Sequence, residues 1–138
     1  MDTPVTLKVP ESHRDLVDDG KRAFAVLATI MPDGTPQATP VWFDVEQGLL
    51  WVNTARGRVK DVNMGANPAV DLAVLDPDNP YRYIQFRGRV AEATERGARD
   101  HIDRLAHKYR GIDKYPSTDE QETRVIYKIQ PTSIFAKS

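Results

Sequence analysis

The chain has 138 residues, of which 40% are hydrophobic, and its 19 Lys and Arg nearly balance its 20 Asp and Glu. A chain of this length makes one compact domain, so we expect residues 1–138 to fold as a single unit. The near-zero charge argues against a nucleic-acid-binding surface and a polybasic membrane anchor, and the lack of cysteine excludes disulfides and thiolate chemistry. No run approaches the roughly 20 apolar residues that span a bilayer, and we find no signal peptide, so we expect a cytoplasmic protein with no membrane partner.

The first third of the chain has the pattern of a short helix followed by a β-hairpin. Polar and apolar residues over 11–19 predict the helix. The apolar run Phe24–Ile30 predicts a buried strand, and a Pro-Asp-Gly turn follows it. Residues 36–45 predict the second strand, in which Pro40 lacks a ladder donor and indicates a bulge or an unpaired edge.

A cluster of cations follows the next predicted strand, over residues 49–54. Arg56, Arg58 and Lys60 lie within five residues, beside a glycine and at the start of a short helix. Two guanidinium groups and an ammonium near free helical N–H groups are typical of a phosphate clamp. Solvated surface charges are the alternative interpretation, and the chain has neither a Walker motif nor G-x-G-x-x-G. The short helix is expected to carry its apolar side chains on one side: Val59, Val62 and Ala66.

The longest predicted strand covers residues 81–93 and has two different faces. After a strand over 69–75, its even positions are apolar and face a core. Its odd positions are polar and aromatic, which is typical of an interface, so we expect a homodimer. These odd positions are Tyr81, Tyr83, Gln85, Arg87 and Arg89.

The last third predicts a helix over 95–109, with Thr94 as its N-cap and Gly111 at its end, and then a strand over 123–129. Pro131 is expected to break that strand, and pairing resumes over 134–136. Six β segments with three short helices predict a β-rich α+β domain with its strands closed into a small barrel. The spacing of the histidines at 13, 101 and 107 matches no metal motif, so we expect no metal site, and no nucleophile motif supports a hydrolase.

The segment NTARGRVKDVN after the LLWV strand, with ATPVWF before it, resembles the split-barrel flavin and deazaflavin reductases of the pyridoxamine 5'-phosphate oxidase-like (FMN-binding) superfamily. Within that superfamily it is most similar to the small enzymes that use coenzyme F420, the flavin/deazaflavin oxidoreductases of group B type. The resemblance covers about residues 23–136 and includes KYRGIDKYP after the second large helix. It implies a split β-barrel of six or more antiparallel strands with short helices.

The resemblance also implies a site. In the family two protomers pair, and the cofactor lies in the groove between them with residues from both chains around it. The residues that the resemblance assigns to the cofactor are Thr39, Pro40, Val41 and Trp42 beside the ring, Asn53 and Thr54 at the linker, Arg56, Arg58 and Lys60 at the phosphate, and Tyr81, Tyr83 and Arg87 from the second subunit. The pyridoxamine phosphate oxidases themselves have a longer C-terminal tail, so we do not expect oxidation of pyridoxamine phosphate.

The sequence therefore predicts a homodimeric oxidoreductase in which reduced F420 delivers a hydride to a small conjugated electron acceptor. No side chain stands out as a catalytic acid; Tyr81, Tyr83 or water could donate a proton. An FMN-dependent oxidoreductase of the same fold is the nearest alternative. A non-catalytic carrier or binder of F420, flavin or haem is the alternative from a different class. Five cations exceed what one phosphate requires, so we expect F420 to bind more tightly than FMN; these cations are Arg56, Arg58, Lys60, Arg87 and Arg89.

Overall fold

The computed structural model describes residues 7–116 and 121–138. Seven strands form one antiparallel sheet in these residues. In chain order they are β1 (Phe24–Ile30), β2 (Pro36–Val41), β3 (Phe43–Glu46), β4 (Leu49–Ala55), β5 (Ala69–Asp76), β6 (Asn79–Thr94) and β7 (Arg124–Lys137). Their spatial order is β2-β1-β5-β6-β7-β4-β3. The prediction of a β-rich α+β fold with six or more antiparallel strands is confirmed.

The sheet is curled, and a single residue connects its two edge strands. The edge strands β2 and β3 are consecutive in the chain, and Trp42 alone separates them. This junction, which we call the seam, carries no ladder between β2 and β3 within the described residues. The sheet is therefore a half-barrel, and the expectation of closed strands and of one strand over 36–45 was wrong. The expected unpaired edge at Pro40 is confirmed, because β2 pairs with β1 only.

Two α-helices and two 3₁₀ helices accompany the sheet. They are α1 (Val59–Ala66), α2 (Ala98–Arg110) and the 3₁₀ helices Glu11–Val17 and Asp19–Lys21. Gly111 ends α2 as expected, but its N-cap is Gly97, because the Thr94 hydroxyl accepts a bond from the Arg96 N–H instead. Within the described residues no helix has the length and apolar character that crossing a membrane requires.

Pro131 does not break the last strand, contrary to expectation. β7 continues through it because the pairing register of β6 shifts between Arg87 and Gly88, directly opposite. The two backbones come very close there, and a Cβ added at Gly88 would lie 2.5 Å from the Gln130 carbonyl oxygen. Only glycine therefore fits this crossing of β6 and β7.

The side of α1 that faces the barrel is not the one expected. Val59 and Val62 are 48% and 52% exposed, and the buried side chains of α1 are Asp61, Asn63 and Met64. Asn63 Nδ2 donates to Thr29 Oγ1 at 3.0 Å, which satisfies one of these polar groups inside the protein. The prediction that Val59, Val62 and Ala66 form the packed side of α1 was wrong, because specific polar contacts decide the orientation of this two-turn helix.

Candidate cofactor site

A cleft of about 240 Å³ opens beside the seam. We call it the seam cleft. Strands β1, β2 and β4, the start of α1, the middle of α2 and the first residue of β7 contribute to it. Its lining residues are Phe24, Pro40, Val41, Trp42, Asn53, Arg58, Lys60, Ile102, Leu105, Tyr115 and Arg124. The cleft thus joins an aromatic wall to a group of cations.

The aromatic wall is built on Trp42. Its ring stacks on Tyr109 with 5.3 Å between centroids and 7° between planes, and Tyr115 meets it edge-on at 6.0 Å. The Tyr109 hydroxyl donates to the Ala23 carbonyl at 2.8 Å, which fixes this ring, and Phe24 also stacks on Tyr109, with 5.8 Å between centroids. Burial raises the pKa of Tyr109 well above its ordinary value, so its hydroxyl stays protonated. Trp42 is thereby held as a firm flat surface, suited to a planar ring.

Three cations also line the seam cleft: Arg58, Lys60 and Arg124, which we call the cation cluster. Lys60 forms no ion pair within residues 7–116 and 121–138. Burial lowers the pKa of Lys60 below its usual 10.5, and the charges of Arg58 and Arg124 lower it further. Uncompensated positive charge in a half-buried cleft is the electrostatic condition for binding an anion.

Arg124 is the most firmly held of the three. Its side chain is 5% exposed, its Nε donates to Asn53 Oδ1 at 2.8 Å, and its guanidinium carbon lies 5.3 Å from the Tyr115 ring centroid. Glu122 pairs with both Arg124 and Arg58. Among residues 7–116 and 121–138, Glu122 is the carboxylate that pairs with these three cations, so the described part of the cluster has an excess of positive charge.

Arg56, in contrast, does not line the seam cleft. Its guanidinium donates to Glu95 at 2.9 Å and to Asp61 at 3.1 Å. Asp61 also accepts from the Gly57 N–H at 2.9 Å and from the Tyr127 hydroxyl at 2.6 Å. Burial works to raise the pKa of Asp61, but these hydrogen bonds outweigh it and hold the pKa below its usual value. Arg56 and Asp61 therefore fix the loop that presents Arg58 and Lys60, with Gly57 at φ 91°.

The structure brings together half of the residues assigned to the cofactor from the sequence. Pro40, Val41, Trp42, Asn53, Arg58 and Lys60 line the seam cleft. Thr39 and Thr54 lie on β2 and β4 next to lining residues, and their buried hydroxyls have no hydrogen-bond partner among the described residues. Tyr81, Tyr83 and Arg87 lie on β6 and do not line the cleft of their own protomer. Arg89, the last of the five cations considered above, is an exposed residue of β6 and does not line the cleft.

Sequence reasoning missed Phe24, Tyr115 and Arg124. Arg124 stands alone at the start of a strand, 64 residues after Lys60 by sequence number, and no local pattern connects the two. Tyr115 lies within the KYRGIDKYP segment, which was noted without a role. Its ring contacts with Trp42 and Arg124 supply that role.

The histidines have structural partners. His13 Nε2 bonds to the Lys137 carbonyl at 2.8 Å, and His101 Nε2 bonds to Asp44 at 2.8 Å. His107 lies on the surface, with a side chain that is 72% exposed. Among the described residues, no three His, Asp or Glu side chains form a group that could hold a metal ion.

A curled antiparallel half-barrel with an aromatic and cationic cleft at its seam is the architecture of a split-barrel domain. The chain belongs to the pyridoxamine 5'-phosphate oxidase family, whose model matches residues 9–138. This membership confirms the predicted split β-barrel, and it supports an oxidoreductase with a flavin-type cofactor in general. No curated protein matches the chain.

Solved structures agree with this assignment. A protein named F420 reductase has 36% sequence identity and a TM-score of 0.80, over 92% of this chain and 98% of that one. The conserved hypothetical protein Rv2991 from Mycobacterium tuberculosis has 25% identity and a TM-score of 0.68, over 99% and 89% of the two chains. A putative pyridoxamine 5'-phosphate oxidase from Listeria innocua, at 18% identity, shares the fold with a TM-score of 0.62 over 83% and 87%.

Proposed function

We propose that the protein is an F420-dependent reductase that transfers a hydride from the reduced deazaflavin to a small conjugated electron acceptor. The observation that carries the proposal is the cation cluster next to the Trp42 wall. The cation cluster offers charge and hydrogen-bond donors for a phosphate, and the Trp42 wall offers a flat apolar surface for a ring. The similarity to a protein named F420 reductase, at 36% identity over 92% of the chain, favours the deazaflavin over FMN.

The cation cluster suits a phosphate through three different contributions. Arg124 presents a fixed planar fork, since Asn53 and Tyr115 hold it in place. Lys60 adds a compact charge, and its lowered pKa reflects an electrostatic cost that an anion relieves. Arg58 is 53% exposed and can follow a ligand that extends outward. F420 has such an extension, because lactate and glutamate follow its phosphate.

The chain's part in the reaction is positioning. When bound, F420 supplies the hydride chemistry. Trp42, backed by Tyr109, would hold one side of the ring region, and the cation cluster would fix the phosphate end, so that the acceptor approaches in one geometry. We assign no side chain of the seam cleft as a proton donor.

We further propose that the protein is a homodimer, with Tyr81, Tyr83 and Arg87 facing the cleft of the partner. Four cross-strand neighbours on the outer side of the sheet form a row: Val26, Ala73, Gln85 and Phe135. Phe135 is 55% exposed and Tyr81 is 81% exposed. Exposed aromatic side chains on one sheet surface are typical of a site for another protein chain.

Titration of the purified protein with F420 and with FMN, followed by fluorescence, tests the proposal, and turnover of reduced F420 with a panel of quinones and enones follows. We expect F420 to bind more tightly and reduced F420 to be oxidised only when protein and acceptor are both present. Tighter binding of FMN than of F420 would indicate that FMN is the cofactor. Binding of F420, FMN or haem without turnover of any acceptor would indicate a carrier.

A further inference from the structure

A chain of hydrogen bonds runs from the protein interior to the cation cluster. His101 Nε2 bonds to Asp44 Oδ1 at 2.8 Å, and His101 Nδ1 lies 3.0 Å from Asn53 Nδ2. Asn53 Oδ1 then accepts from Arg124 Nε at 2.8 Å. We call Asp44, His101 and Asn53 the relay. It connects α2, β3 and β4 to the first residue of β7.

The partners decide the direction of each bond in the relay. Asn53 Nδ2 also donates to the Ala98 carbonyl at 2.9 Å, so the amide oxygen must face Arg124 and the amide nitrogen must face His101. His101 Nδ1 is therefore an acceptor, and its proton is on Nε2, where it is donated to Asp44. Every polar atom of the Asn53 side chain is used, which leaves it one orientation.

The inner part of the relay occupies buried positions, which apolar side chains could fill if packing were the only requirement. His101 is 0% exposed and Asp44 is 5% exposed. Burial works to raise the pKa of Asp44, but hydrogen bonds from His101 and Arg104 outweigh it and keep the carboxylate ionised. A buried carboxylate and imidazole cost free energy that a hydrophobic pair would not, so such groups are expected where they set a specific geometry.

We propose that Asp44 and His101 are positioning residues that act through Asn53 to orient the Arg124 guanidinium toward the cofactor phosphate. The inference depends on the proposed function only in requiring that a phosphate-bearing ring cofactor binds in the seam cleft. Asn53 holds Nε and Glu122 holds Nη1, so the N–H groups of Arg124 that these bonds do not use are kept in one fixed plane. The relay thereby makes Arg124 a selective ligand for phosphate, as outer hydrogen-bond partners orient the ligands of a metal.

The test separates binding of the phosphate from binding of the ring. The affinities of wild type and His101→Gln are measured by titration with FMN, with riboflavin, with F420 and with the phosphate-free deazariboflavin. We expect the ratio of phosphate-bearing to phosphate-free affinity to fall by roughly tenfold in His101→Gln, with riboflavin and deazariboflavin bound as by wild type. His13→Gln is the matched control, because His13 is also buried and hydrogen-bonded but bonds to the Lys137 carbonyl and lies outside the relay.

A double-mutant cycle tests whether the relay acts through Arg124. In an Arg124→Gln background, His101→Gln should leave the affinity ratio unchanged. Asp44→Asn is a second relay variant that keeps the shape of the side chain and is used if His101→Gln does not fold; it should lower the ratio in the same direction. If relay variants weaken all four ligands equally, or leave the ratio at its wild-type value, the relay is only structural and the inference is overturned.

Failure of the relay can be told apart from failure of the proposed function. If wild type prefers the phosphate-bearing ligands and His101→Gln shows the same preference, the inference about the relay is wrong and the proposed function stands. If wild type binds none of the four ligands, both the proposed function and the inference about the relay are wrong. A preference of wild type for F420 or for FMN decides the cofactor without affecting the relay.

Discussion

Lys60 is the residue at which charge and packing can be separated most cleanly. Its side chain is half-buried, pairs with no carboxylate in the described residues, and lies near two other cations of the cluster. Lys60→Met keeps an unbranched stem of similar shape and removes only the charge. The substitution should therefore affect an anionic ligand far more than the fold.

The size of the effect follows from these contacts. One charge-assisted hydrogen bond to a phosphate contributes about 1.5 to 3 kcal/mol, which is about ten- to a hundredfold in affinity. The lowered pKa of Lys60 means that its charge costs the folded state free energy at neutral pH. Removal of the charge should thus leave the melting temperature at pH 7 unchanged or raise it.

The assay compares the affinities for F420 and FMN with the melting temperature of each protein. Arg96→Gln is a matched control, because it also removes one positive charge but from an exposed residue that does not line the seam cleft. We expect Arg96→Gln to bind both cofactors like wild type. If Lys60→Met binds both like wild type and melts several degrees lower, Lys60 is a structural cation and the reasoning is refuted.

Three further predictions follow from the same contacts. Because an anion favours charged Lys60, the affinity for FMN should be constant at neutral pH and fall as pH rises through the lowered pKa of Lys60, and titrations up to pH 10 should show no such fall in Lys60→Met. Asp61→Asn should lower the free energy of unfolding by about 2 to 4 kcal/mol in urea, since a buried carboxylate with three donors is lost. Gly88→Ala should cost about 1 to 3 kcal/mol in the same assay, because its Cβ would meet the β7 backbone.

Each of these has a clear contrary result. A fall in FMN affinity of the same size in Lys60→Met would assign the pH dependence to another group. Urea unfolding of Asp61→Asn at the wild-type midpoint would mean that Asp61 does not fix the loop. Gly88→Ala with wild-type stability would show that β6 and β7 can separate there at little cost.

Local signals in the sequence predicted the elements well. The strand Phe24–Ile30 has the bounds that its apolar run indicated, and α2 ends at Gly111 as its pattern required. The loop before α1 was also recognised, because a glycine and three cations at a helix start are a local pattern. Such signals depend on residues within one or two turns of each other, which is the range that a sequence pattern covers.

The parts that the sequence could not predict depend on contacts between distant residues. Arg56 and Arg58 look equivalent in the sequence, but Asp61 and Glu95 bind Arg56 and turn it from the cleft. Arg124 takes the third position because β4 and β7 pair side by side, with Ala55 opposite Arg124. Local spacing in the sequence indicates neither which side of α1 is buried nor that Arg124, rather than Arg56, lines the cleft.

The most direct test of the central claim follows the hydride itself. Reduced F420 that carries deuterium at both positions of its hydride-carrying ring carbon is mixed with the protein and cyclohexenone, as a simple conjugated acceptor, and the product is examined by mass spectrometry and NMR. We predict saturated product that carries deuterium at the β-carbon, and much less of it with Lys60→Met at limiting cofactor. Product without deuterium would contradict the account. So would the absence of product from cyclohexenone and from related enones and quinones under conditions in which reduced F420 is bound.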